Sequence, residues 1–221
     1  MDLYDVMRTT YSARAFTDED VPDAVLAKIF ENARFAPSGG NRQGQHVIVV
    51  RDQATKDAIA EFAIPQAKRY AAQNANGEGP WNPVSPPKVS DETIANTPVP
   101  PGLIEPYRRS PVLLVICIDL RVVAAVDQNL DRIAVVPGAS IYPFTWNILL
   151  AARNEGYGGT LTSMPIGQEP ALKKLLGIPD YVAVAAVLPL GKPLRQLTKL
   201  KRKPVSEFAT HERWGGPPVQ E

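Results

Sequence analysis

Apolar residues recur along the chain with two different periods, and the changes of period mark the elements. Leu3, Val6 and Met7 fall at helical spacing before a polar break over residues 9–12. Val25, Leu26, Ile29, Phe30 and Ala33 form the stripe of a second helix, with Pro22 suited to its first turn and Asp18 or Asp20 able to cap it. That helix should stop near Phe35, because Pro37 disfavours helical geometry at Ala36. Ser38-Gly39-Gly40-Asn41 reads as a loop. The β-branched run at 47–50 predicts a buried strand, and residues 53–62 predict another helix.

From Pro65 to about Pro106 the pattern dissolves. Residues 74–80 show no periodicity, and nine prolines fall from Pro80 to Pro111. So long an irregular stretch inside a domain is a functional lid or a linker. Its apolar anchors, Trp81 and Tyr107, favour a lid that packs over something. Order returns at 112–118, a central strand. Residues 138–155 predict the longest helix, apolar almost all round, which suits the core or a contact with a partner subunit. Trp146 and Phe144 on it read as interface core. Gly156, Gly158 and Gly159 end it. A short helix at 170–176, ended by Gly177, and a strand at 181–190 follow. The tail carries Lys199, Lys201, Arg202 and Lys203 before Pro204. Helices alternating with short strands predict an α+β sandwich around a mixed sheet, one domain over 1–221 with a proline-rich lid insertion at about 65–110.

Composition narrows the function. A chain of 221 residues can bury roughly 70% of its unfolded surface, so it needs no staple to fold. Its 24 Lys plus Arg against 23 Asp plus Glu leave +1, which argues for neither nucleic acid nor an anionic membrane as partner. The lone cysteine, Cys117, excludes an internal disulfide and a multi-thiolate zinc site, and its place in a strand reads as a buried structural thiol. No signal-like segment or run of the ~20 apolar residues needed to span a bilayer is present, so a soluble, cytoplasmic protein is expected. The sequence holds no phosphate-binding or dinucleotide glycine motif and no nucleophile elbow, and His46 and His211 stand apart. What is left is binding, or chemistry carried by a cofactor.

Four segments then act as a set: Ser12-Ala13-Arg14, Ala36-Pro37-Ser38-Gly39-Gly40-Asn41-Arg42-Gln43, Gly156-Tyr157-Gly158-Gly159-Thr160-Leu161-Thr162-Ser163, and Arg202-Lys203-Pro204 followed by Trp214-Gly215. In this order and spacing they resemble the FMN-dependent nitroreductase family over residues 2–60 and 111–215. The resemblance implies an α-β-α sandwich with a mixed, mainly antiparallel sheet, folded as an intertwined homodimer with FMN at the subunit interface. It implies that Ser12 and Arg202 bind the FMN phosphate and that Arg14 reaches the flavin. Pro37, Ser38, Gly39 and Asn41 would line the ring, and Thr162 and Ser163 would pass near its reactive nitrogen. NADH or NADPH would reduce the flavin, which would then reduce a small electron acceptor such as a nitroaromatic or quinone. No side chain need serve as acid, and Trp81 and Tyr107 would close over the ring.

Two departures stand out. Thr10-Tyr11 replaces the arginines that usually precede the serine, for which Arg8 is the candidate substitute, and Gly44-Gln45 replaces Pro-Trp. The reductive dehalogenase branch of the family holds an amino-acid zwitterion with a Glu-Tyr-Lys clamp. Lys68, Tyr70 and Glu78 supply those residue types in another order. An idle flavin-binding protein is the remaining alternative.

Overall fold

The computed structural model describes residues 1–220. Strands β1 (Gln45–Val50), β2 (Val112–Asp119), β3 (Gly158–Gly159) and β4 (Val182–Gly191) form one sheet in the order β1-β2-β4-β3. All neighbouring pairs are antiparallel. A parallel bridge from Ser12 to Gly159 lays the N-terminal segment along the β3 edge. Helices α1 (Leu3–Thr9), α2 (Asp23–Ala33) and α6 (Tyr142–Asn154) belong to one side, and α3 (Gln53–Ala75), α4 (Asp91–Asn96), α5 (Pro101–Arg109) and α7 (Glu169–Leu176) to the other.

The strand period of two builds both cores. On β2, Val112, Leu114, Ile116 and Ile118 face Leu26 and Ile29 of α2 and Phe144, Ile148 and Leu149 of α6. Leu113, Val115 and Cys117 face Ile59, Ala60, Ala63 and Ala67 of α3 together with Ile104 and Tyr107 of α5. A bulge between Ile116 and Cys117 shifts the register, so Val184 and Val187 of β4 reach the same core despite their odd separation. Truncating a fully buried leucine such as Leu114 in either layer should cost about 2–5 kcal/mol. This is the α-β-α sandwich with a mainly antiparallel sheet.

Five local expectations need correction. The helix predicted over 53–62 continues to Ala75 through Pro65, and α4 and α5 follow, so the proline-rich middle is largely helical. An interior proline costs about 3 kcal/mol. It is offset here by the stripe of fully buried alanines that lets α3 lie close to its neighbours. The strand at 47–50 is only partly buried: β1 pairs with β2 alone, Val50 is in the core, Val47 and Ile48 are half-buried and Val49 is exposed. Helix α2 starts after Pro22 with no side-chain cap, so neither Asp18 nor Asp20 caps it. The helix expected from 138 begins at Tyr142 after a 3-10 turn at Val136–Ser140. On it Phe144 belongs to the core of the chain, whereas Tyr142 and Trp146, one turn apart, are 46% and 42% exposed. Cys117 lies mid-strand, and burial pushes its thiol up to about 11. Among the described residues no helix is long and apolar enough to cross a membrane, and no group of three or more His, Cys, Asp or Glu is placed to hold a metal.

Candidate active site

A cleft of about 190 Å³ opens where the N-terminal segment, the β3 edge, α3 and α5 meet, and its lining includes Arg14, Tyr70, Trp81, Tyr107, Thr162 and Ser163. The N-terminal segment reaches it because of Gly159. The Ala13 amide donates to the Gly159 carbonyl at 3.0 Å, and a Cβ on Gly159 would fall 2.6 Å from the Pro189 carbonyl oxygen. Ala13 is buried there, and the next residue, Arg14, projects a guanidinium whose bond is to the Ser12 carbonyl at 3.3 Å. Thr162 is fixed from both sides by backbone bonds with Val187, at 3.2 and 2.8 Å.

Tyr107 supplies the floor. It is 1% exposed, and its hydroxyl lies 2.6 Å from the Thr162 hydroxyl. Burial holds its phenol well above the ordinary tyrosine range, against the opposing pull of the Thr162 bond and the Arg14 charge, so it stays protonated. The Thr160 hydroxyl, also in the lining, is buried without a partner. Aromatic rings form the wall: Tyr70 and Trp81 sit with centroids 5.4 Å apart at 32°. Trp81 is held by its indole N–H to Gln66 at 2.7 Å and by its amide to Gln73 at 3.1 Å, with a strained φ of +53°. The loop that carries it is organised by Glu78, whose carboxylate accepts from Asn76, Gln73, and the amides of Lys88 and Val89. Those bonds, with the Asn76 side chain foremost, hold Glu78 below the usual carboxylate range.

Five of the predicted residues, Arg14, Thr162, Ser163, Trp81 and Tyr107, therefore come together. Ser12 sits beside them on the bridge to Gly159. The tail starts alongside: Thr17 and Ala15 pair with Lys192 and Leu194, and the Tyr11 hydroxyl donates to the Arg195 carbonyl. Among the described residues the Arg202 guanidinium bonds the Lys201 carbonyl. Arg8 is not part of the cleft lining, and its exposed guanidinium lies 5.7 Å over the ring of Tyr4. Two cations not singled out in the sequence, Arg153 and Arg195, flank Tyr11 instead.

Pro37, Ser38, Gly39 and Asn41 do not reach the cleft within one chain. Their loop enters β1, the sheet edge opposite β3, at the end where Gly44 meets Asp119, whereas Tyr107 lies before the other end of β2. The Gly39 amide donates to Ser140 at 3.2 Å. Gly40, Asn41 and Gln43 all adopt positive φ, which is strained for the two with side chains. Tyr70, Gln66 and Gln73 were missed as a group. They lie on α3 beyond Pro65, and their spacing of four and three is a helical face that becomes visible only if the helix continues.

The cleft is smaller than the roughly 300–1,000 Å³ usual for a small-molecule site, so within one chain it is an open half. Its chemistry fits a planar ring bearing acceptor atoms: two aromatic walls, a guanidinium with no ion pair among the described residues, and hydroxyls of which one is orphaned.

The nitroreductase family model matches residues 7–192. The chain belongs to the nitroreductase family. Membership makes it an oxidoreductase of the flavoprotein kind that the motifs resembled. Relatives carry two sorts of name. A protein of Thermus thermophilus named NADH dehydrogenase is 32% identical over 84% of this chain and 83% of its own. An iodotyrosine deiodinase of Hydra vulgaris is 26% identical over 94% of this chain and 71% of its own. Among solved structures, oxidized iodotyrosine deiodinase bound to FMN and 3-iodo-L-tyrosine superposes with a TM-score of 0.69 at 19% identity, covering 96% of this chain and 100% of the other. A BluB-like flavoprotein from Clostridium difficile gives 0.68 at 22%, with coverages of 96% and 100%. These two likenesses speak for the fold.

Proposed function

We infer that the protein is an FMN-dependent oxidoreductase, a cytoplasmic homodimer that takes reducing equivalents from NADH or NADPH and delivers them to a nitroaromatic or quinone-type acceptor. The observation that carries the reading is the convergence of Arg14, Tyr107, Thr162 and Ser163 under an aromatic lid in a protein of this family. When bound, FMN would supply the chemistry, accepting a hydride from the nicotinamide and passing two electrons to the acceptor in a second, separate encounter. The chain's own work is to position and bias it. Arg14 would place positive charge against the polar edge of the ring, where negative charge develops on reduction. Ser12 and Arg202 would hold the phosphate, with Arg195 and Arg153 as the nearby cations. Tyr70 and Trp81 would stack over the acceptor and exclude water.

The homodimer reading accounts for the loop that lies too far away. Pro37, Ser38, Gly39 and Asn41 would complete the cleft of a second copy. The exposed apolar residues on their side, among them Ile133, Val135, Tyr142 and Trp146, give such a contact its surface.

The deiodinase relatives favour a second reading, reductive dehalogenation of an iodinated tyrosine. Against it, Lys68 donates to the Ala95 carbonyl at 2.7 Å and Glu78 is occupied by loop donors, so of the would-be clamp only Tyr70 faces the cleft. An absorption spectrum of the purified protein, taken before and after anaerobic NADH and NADPH, tests the main reading. Flavin bands that bleach with a nicotinamide and return with a quinone are expected. Iodide release from 3-iodo-L-tyrosine without quinone turnover would move the assignment to the dehalogenase, and bands that never bleach would make it an idle binder.

A further inference from the structure

We propose that Tyr107 is a positioning residue: it fixes the direction in which Thr162 presents its hydroxyl hydrogen to the cleft, and so biases a ring held there towards its oxidised form. The inference rests on the flavin reading of the cleft and goes beyond it to a residue of the cleft floor that acts through Thr162.

Two hydroxyls 2.6 Å apart share one hydrogen between them, and the question is which donates. The Tyr107 phenol is buried on α5, and among the described residues its hydroxyl bonds Thr162 alone. Burial keeps it protonated. A phenol is also the more acidic group, hence the better donor to an aliphatic hydroxyl. Arg14, whose charge is felt at the phenol, is a cation and accepts nothing. Tyr107 therefore donates and Thr162 accepts. The backbone N–H and C=O of Thr162 are both paired with Val187, so its main chain cannot rotate away. Thr162 lines the cleft, so the hydrogen left on its own oxygen is available to a ring held there.

A donor held in one direction discriminates between ligands. It favours an atom that carries a lone pair and disfavours one that carries a hydrogen. An oxidised isoalloxazine ring offers nitrogen lone pairs that reduction converts to N–H groups. Tyr107 thus opposes reduction to a defined extent. Without its hydroxyl, Thr162 can rotate and accept as readily as donate, and the reduced ring gains.

The test compares the FMN-loaded wild type with Tyr107→Phe, Thr162→Val, Thr162→Ser and the corresponding double variants, by two-electron midpoint potential, FMN dissociation constant and Tm. Tyr107→Phe should favour the reduced flavin about tenfold, a rise of about 30 mV for a two-electron couple. It should weaken binding of oxidised FMN by a few fold. The shift should persist in the Thr162→Ser background, which keeps a hydroxyl, and vanish in Thr162→Val, which has none. A merely structural tyrosine would lower Tm and leave the potential in place, and that result overturns the proposal, as does an equal shift in the Thr162→Val background. Should Tyr107→Phe fail to fold, 3-fluorotyrosine installed at position 107 keeps the shape and strengthens the donor. The potential should then fall, and no change would again overturn the role of Tyr107. A wild type that does not take up FMN removes the flavin reading itself, and this inference with it.

Discussion

The two edges of the sheet hold their longest loops with the same device and then turn their apolar side chains in opposite directions. On the cleft side, Glu78 gathers four donors and folds the loop after α3 so that Trp81 faces inward. On the far side, Asp127 does the same for the loop after β2. Its carboxylate, 4% exposed, accepts from Arg132 at 2.7 Å and from the amides of Val135 and Val136 at 2.8 and 3.2 Å. The Val135 amide foremost, and then Arg132, hold it down at about 2 against burial. Yet Val126, Leu130, Ile133 and Val135 of that loop are more than half exposed. A carboxylate hub that orders a loop only to leave its apolar residues in water makes sense where another surface covers them. The difference separates a loop that turns its aromatic residue into the chain's own cleft from one that leaves its apolar residues exposed, and on the homodimer proposal a partner copy covers the second.

The sharpest way to break this contrast is to put a charge on the far side. A desolvated unpaired carboxylate costs several kcal/mol, so Trp146→Glu should leave a monomer in sedimentation velocity and reduce FMN affinity at least about 100-fold. Because Trp146 is partly exposed in the chain, folding should survive. A dimer with undiminished flavin binding would mean that the far side is an ordinary surface. On the cleft side the corresponding change is smaller. Loss of a charge-assisted contact is worth about 1.5–3 kcal/mol, so Arg14→Ala should weaken FMN about 10- to 100-fold by fluorescence titration, with the dimer intact.

The lid gives the next smaller effect. Trp81→Ala removes a stacking surface worth about 1 kcal/mol, so KM for a quinone should rise up to about tenfold while the FMN dissociation constant stays put. Equal losses in both would place Trp81 against the cofactor. The smallest effect is one of pH. Glu78 has a folded pKa below its unfolded value, so its hold on the lid is complete above the ordinary glutamate range and lost as pH falls through the lower folded value. Asp127 follows the same sign and keeps its loop until pH approaches about 2. In a Trp146→Phe, Trp214→Phe background, Trp81 emission should be flat from pH 8 to 5 and change in more acidic solution. Glu78→Gln should show the altered emission throughout, and a titration unchanged by Glu78→Gln would show that the hub does not hold the lid.

Much of this was legible in the residues. The run Val112-Leu113-Leu114-Val115 alternates only once placed between two layers, but its apolar continuity already requires burial on both faces. The segments around Ser12, Thr162 and Arg202 were legible as a set through their resemblance to the family, and the structure brings Thr162 to the cleft with Ser12 beside it. Pro65 misled because local propensity counts the lost hydrogen bond and is blind to the alanine face that α3 packs against its neighbours. Tyr107 was visible as an aromatic anchor but not as a partner of Thr162, 55 residues away.

The chain's own pattern thus determined its layers, its main strands and the chemistry brought to the cleft, since these follow from hydrophobic period and from side-chain type. Only the tertiary structure decided which of the predicted site residues meet. Sheet order puts Arg14 and Thr162 on one edge and Asn41 on the other, and that order is set by long-range strand pairing, which no local spacing records.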